Sequence, residues 1–168
     1  MKSIKLCVSA LAVLFMCASF VFAETKHLFK IERSKNANIV QYDVNIDENG
    51  QINKTNPIDS YWLLYAKDGS REEIGSFEKK AYGFSIKYNE GGWFDMRMKA
   101  VEDRPIRVLM VNGEPRAEIM INGRAAFLSK IYINSKDNLV GIPKVSYYIL
   151  TGNDIETGEE AIEKIEVK

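Results

Sequence analysis

Beyond residue 23, apolar and polar side chains alternate with a period of two along much of this chain, and that alternation commits it to pleated strands. Successive side chains of a strand point to opposite faces, so one face can be buried while the other is wetted. Between Asn38 and Ile46, Val40, Tyr42, Val44 and Ile46 fall on one face and Gln41, Asp43 and Asn45 on the other. Phe84, Ile86 and Tyr88 alternate with Ser85 and Lys87; Phe94, Met96 and Met98 alternate with Asp95, Arg97 and Lys99. The runs 61–66, 106–111 and 147–150 are apolar on both faces. Their aromatic and β-branched content favours buried strand over helix.

Turn chemistry orders these strands. Asn-Gly stands at 49–50, 112–113 and 122–123, and this pair tolerates the positive φ that a two-residue type I′ hairpin turn requires. The latter two pairs predict successive antiparallel strands over about 104–111, 116–121 and 124–134, with Pro115 where a strand begins. A last hairpin is expected from 144–153 through Thr157-Gly158 into 160–167, with a short helix around Ile162 and Ile165 as the alternative. One internal helix is expected near 71–81, where Glu72, Glu73, Glu78, Lys79 and Lys80 surround Ile74 and Phe77. The expected fold class is therefore all-β, an antiparallel meander forming a closed or partly open barrel, with a β-sandwich as the alternative.

Residues 1–23 have a different composition. Lys2 and Lys5 precede an apolar stretch from Leu6 to Phe22, and Val21-Phe22-Ala23 offers small residues for signal peptidase. This is the pattern of a cleaved export signal, with an uncleaved membrane anchor as the competing reading. A lipid anchor at Cys17 is disfavoured by the bulky Met16 before it. Cleavage would leave one domain, 24–168, that is periplasmic or secreted and has no membrane span. Cys7 and Cys17 would leave with the signal, so the mature domain would be cysteine-free, with 21 basic against 23 acidic residues. No Lys/Arg run remains to mark a nucleic-acid partner. About 145 residues can bury a core without disulfides.

No catalytic set is readable. The single histidine, His27, reads as a solvated residue near a new terminus, and no Gly-x-Ser-x-Gly elbow occurs. Zinc ligand sets are missing, and no metal or cofactor is expected. Asn45 to Gly50 has the spacing of the start of a calcium loop, but its first ligand is an amide and its twelfth position is Asn56; a polar hairpin turn is the simpler reading. Adjacent carboxylates such as Glu72-Glu73, Glu159-Glu160 and Asp47-Glu48 point apart and form no shared-proton pair. Arg33 to Asn36 reads as a polar connection between strands. The aromatic supply exceeds a minimal core, so Trp62, Tyr65, Tyr82 and Trp93 are the candidate ligand-facing aromatics, with Arg33 and Asn36 as polar partners.

Two stretches carry a family likeness: His27 to Asp43, and Asn56 to Ala66 followed by Asp68 to Glu73 and Ala81 to Phe84, with Thr151-Gly152-Asn153-Asp154 and Thr157-Gly158 fitting as well. Together they resemble an exported bacterial family described as domain of unknown function 4833. That resemblance implies a single periplasmic-type domain and transfers no activity, substrate or site residue. The functional expectation is a non-enzymatic binding module for a small molecule or envelope component. Alternatives are a protein-interaction or envelope-structural domain and a hydrolase built on carboxylates alone.

Overall fold

A computed structural model describes residues 24–137 and 143–167; the expected export signal lies outside the described residues. The first four strands are β1 (Glu24–Arg33), β2 (Asn36–Ile46), β3 (Ile58–Leu63) and β4 (Arg71–Glu73). A single helical turn α1 (Lys79–Tyr82) leads to β5 (Phe84–Tyr88) and β6 (Phe94–Met98). A 3₁₀ turn (Lys99–Val101) then precedes β7 (Ile106–Val111), β8 (Glu114–Ile121), β9 (Arg124–Asp137), β10 (Pro143–Asp154) and β11 (Glu160–Glu166).

These strands form one mixed sheet curled into an open half-barrel. Its long axis is β9, whose 14 residues span roughly 45 Å at ~3.3 Å per residue. One edge of β9 pairs with β10 between Ala126 and Asp137, and β10 pairs in turn with β11. The other edge is shared end to end. β8 pairs antiparallel with β9 at 124–127, and β1 pairs with it at 130–133 in parallel. Two antiparallel meanders, β1–β4 and β5–β8, thus leave one edge of β9 at different heights.

The parallel β1–β9 ladder departs from the purely antiparallel meander expected from the turns. A parallel pair needs a long crossover, and here the whole β2–β8 segment supplies it. The two meanders face each other across the core, where the Tyr42 ring meets Phe84 edge to face at 6.3 Å and stacks on Phe29 at 4.8 Å. Val40, Tyr42, Val44, Met96 and Met98 are fully buried, as their alternation requires.

Both Asn112-Gly113 and Asn122-Gly123 have positive φ at both positions, giving the expected type I′ hairpins. At Asn49-Gly50 only the glycine is left-handed; Asp47 Oδ1 accepts from the backbone N–H of Asn49 and Gln51, and an Ile46–Ile52 bridge closes the turn. The chain ends in the β10–β11 hairpin, so the terminal helix alternative falls. The internal helix is confined to 79–82 because Arg71–Glu73 pairs with β3 as an edge strand. Cross-strand hydrogen bonds outweigh a helical propensity already weakened by Gly75.

Candidate functional site

The outer face of β1–β3 is polar, and two irregularities in the β1–β2 ladder shape it. The first falls between His27 and Phe29, so Leu28 and Phe29 both turn into the core and His27 is aimed outward beside Asp43. The second falls between Ile31 and Arg33, where the step from Val40 to Asn36 in β2 is longer than the step in β1, and the Arg33 beyond it lies over the buried Trp62. Bulges re-aim side chains in this way while leaving the rest of the ladder in register.

Asp43 lies at the centre of the outward rungs and is only 6% exposed. Its carboxylate accepts hydrogen bonds from Tyr61 Oη at 2.6 Å, Gln41 Nε2 at 3.0 Å and His27 Nδ1 at 3.2 Å. Desolvation pushes the carboxyl pKa up, but the bonds from His27, Tyr61 and Gln41 outweigh it and hold the group below its ordinary value. Being ionised, Asp43 can only accept, so neutral His27 carries its proton on Nδ1 and keeps an acceptor lone pair on Nε2. Burial, and then the hydrogen bond to Asp43, push the Tyr61 phenol up to about 12, so it remains a donor. The network continues outward: the Arg71 guanidinium stacks 3.8 Å over the Tyr61 ring and bonds Asp59 at 2.9 Å and Glu73 at 3.0 Å.

Beside this network runs a groove of about 540 Å³, bordered by His27, Lys30, Glu32, Arg33, Asn36, Gln41 and Tyr65. Its volume lies within the ~300–1,000 Å³ usual for small-molecule sites. The Arg33 guanidinium lies 4.3 Å over the Trp62 ring, and its Nη2 donates to Asn36 Oδ1 at 3.2 Å. Its Nε is buried without a hydrogen-bond partner among the described residues, as is Trp62 Nε1 beneath it. Buried donors of this kind are uncommon, since leaving one unsatisfied costs about 1–3 kcal/mol. Lys30 and Lys130 both reach Glu32, at 2.7 and 3.5 Å, so this stretch holds more positive than negative charge.

The six residues singled out from sequence divide between places. Arg33, Asn36 and Tyr65 border the groove. Trp62, 3% exposed, is not in the lining: next to the outward-facing Tyr61 on β3, it turns into the core and meets Tyr82 edge to face at 5.1 Å. Trp93 stands apart, before β6, with Arg107 4.5 Å over its ring. Tyr65 lies past the end of β3 in the turn to β4, so it shares no strand face with Tyr61.

Sequence reasoning missed His27, Gln41, Asp43 and Tyr61 as a group. Its only trace of them was the polar alternation of Gln41 and Asp43; the pairing of His27 with Asp43 requires the register across β1 and β2.

A second cleft, of about 400 Å³, opens between the meanders over Ile58, Ile74 and Phe84. Its carboxylates, Asp59 and Glu73, are both engaged by Arg71. Ser76 and Lys79 have Ser-x-x-Lys spacing near this cleft, but Ser76 is exposed and no hydrogen bond joins the two. Among the described residues, no group of three or more His, Cys, Asp or Glu is placed to hold a metal. No described helix is long and apolar enough to cross a membrane.

Comparison with curated proteins and with solved structures finds no match. The family model described as Domain of unknown function (DUF4833) matches residues 29–164, a span that takes in every strand from β2 to β10 and nearly all of the groove, and the chain belongs to that family.

Proposed function

We propose that this protein is an exported binding module whose groove on the outer face of β1–β3 holds a small anionic molecule or an acidic group of an envelope component. The observation that carries the reading is Arg33. Its guanidinium lies 4.3 Å over Trp62 with Nε buried, and one Nη2 N–H is tied to Asn36, so the Nη1 end and the remaining Nη2 hydrogen are what it can offer a ligand. A planar fork held this way suits a carboxylate, which can accept two parallel N–H bonds. In the lining itself Lys30 and Arg33 outnumber Glu32, which favours the same charge. Export is supported by the composition of residues 1–23, read as a cleaved signal.

The test is a thermal-shift titration of the purified protein with small mono- and dicarboxylates, together with fractionation of the producing cells. A ligand at 100 times its Kd stabilises a fold by about 2.7 kcal/mol; for a domain of this size that is a rise in Tm of several degrees. Arg33→Gln is expected to abolish the rise while leaving the circular dichroism spectrum unchanged. A flat response to every anion, or intact protein retaining residues 1–23 in the cytosol, removes this reading.

A further inference from the structure

We infer that the occupant of the groove is an acidic sugar, a pyranose ring bearing a carboxylate; the inference rests on the anion-binding reading above and narrows it. A bare carboxylate would use Arg33 alone, yet the surrounding groups present a pattern made for hydroxyls. Gln41 gives its Nε2 to Asp43 and to Tyr61 Oη, which leaves its Oε1 as an open acceptor. His27 gives Nδ1 to Asp43, which leaves Nε2 as a second acceptor. Asn36 uses its Oδ1 for Arg33 and for the backbone N–H of Asn38, which leaves its Nδ2 as an open donor. The groove thus sets two neutral acceptors and one neutral donor beside the Arg33 guanidinium and the Lys30–Glu32 ion pair. A ligand that satisfies all of them needs hydroxyl groups, which both donate and accept, together with a single anionic group.

Tyr65 supplies the remaining feature. It is 57% exposed at the rim of the groove, an unusual position for a large aromatic, and a Cβ added at Gly69 would come within 3.7 Å of its Cδ1 and Cε1. The aromatic body is thus largely presented to solvent. A flat aromatic surface of this kind matches the C–H face of a pyranose, while the polar groups opposite fix its orientation. The groove runs along the outer surface of the sheet, which leaves room for the sugar to be one residue of a longer glycan.

Isothermal titration calorimetry of the purified protein with three probe sets tests this. The sets are glucuronate and galacturonate, the matching neutral sugars glucose and galactose, and succinate, which has carboxylates but no ring. The expected result is binding of one or both uronates at least tenfold tighter than of their neutral counterparts and of succinate. Tyr65→Ala, an exposed position whose loss does not threaten the fold, is expected to weaken uronate binding about tenfold and leave succinate unchanged. Succinate binding as tightly as the uronates overturns the sugar assignment and leaves the anion-binding reading standing. Equal affinity for neutral and acidic sugars overturns the role given to the carboxylate. Silence from every anion overturns both.

Discussion

Asp43 shows how a buried charge is held on an otherwise ordinary strand. Taking a carboxylate out of water is costly unless donors replace the lost hydration. Here Tyr61, Gln41 and His27 do so. Tyr61→Phe removes the shortest of those bonds, and the expected loss is about 1.5–3 kcal/mol, the range for a hydrogen bond to a charged group; urea denaturation at neutral pH measures it. The sign with pH follows from the depressed pKa. Folding favours the ionised form, so its stabilisation is complete above the ordinary value of 3.8 and is lost as pH falls through the lower folded value. Asp43→Asn is expected to be less stable at pH 7 and to lose less further stability on acidification than the wild type. Parallel acid limbs in the two proteins would show that Asp43 is not linked to folding. Asp154 contributes in the same direction and must be held constant. The Thr157 backbone N–H holds its carboxyl down against the opposing effect of burial, with further help from the Glu156 N–H and from Arg124.

The edge of β9 that pairs with β10 depends on how closely the two strands approach. At Gly152, beside the irregularity in the β9–β10 ladder, an added Cβ would lie 2.5 Å from the carbonyl oxygen of Phe127 and 3.1 Å from Ile121 Cδ1. The first neighbour is backbone and cannot swing aside. Gly152→Ala is expected to destabilise by about 1–3 kcal/mol, the usual cost of overpacking, read as a lower urea midpoint with an unchanged m-value. Glycine was visible here in sequence, but its reason was not, because nothing local requires it: φ at this position is ordinary, unlike the left-handed Gly123. A related tie holds the β8–β9 turn to β11. Glu163 Oε2 accepts from the Asn122 backbone N–H at 2.8 Å, and its Oε1 accepts from Arg104 Nη2 at 2.8 Å. The 3₁₀ turn and the loop after it are thereby joined to the last hairpin, and Tyr148 Oη adds a bond to Asp103 at 3.1 Å.

On the scale of the whole molecule, the β1–β9 ladder joins residues about a hundred positions apart, such as Lys30 with Lys130. Loop-closure entropy must be overcome before that contact contributes. Folding is therefore expected in the millisecond-to-second range of non-local β proteins, and stopped-flow refolding measures it; microsecond folding would contradict the parallel closure. The hairpins β5–β8 and β10–β11 have local contacts and can form without it.

The amino-acid order alone determined most of the strands, the two type I′ hairpins and the buried face of β2, because period-two patterning and Asn-Gly backbone freedom act over a few residues. It also carried the family likeness. Only the tertiary structure decided that β1 closes in parallel on β9, that residues 71–73 pair with β3 instead of starting a helix, and that His27, Gln41, Asp43 and Tyr61 share one network. Those outcomes depend on cross-strand register, and register is a property of chain segments far apart in sequence. The groove lies between the two cases. Arg33, Asn36 and Tyr65 were recognisable as chemistry, but the stacking of Arg33 on Trp62 and the turn that exposes Tyr65 exist only once the sheet is assembled.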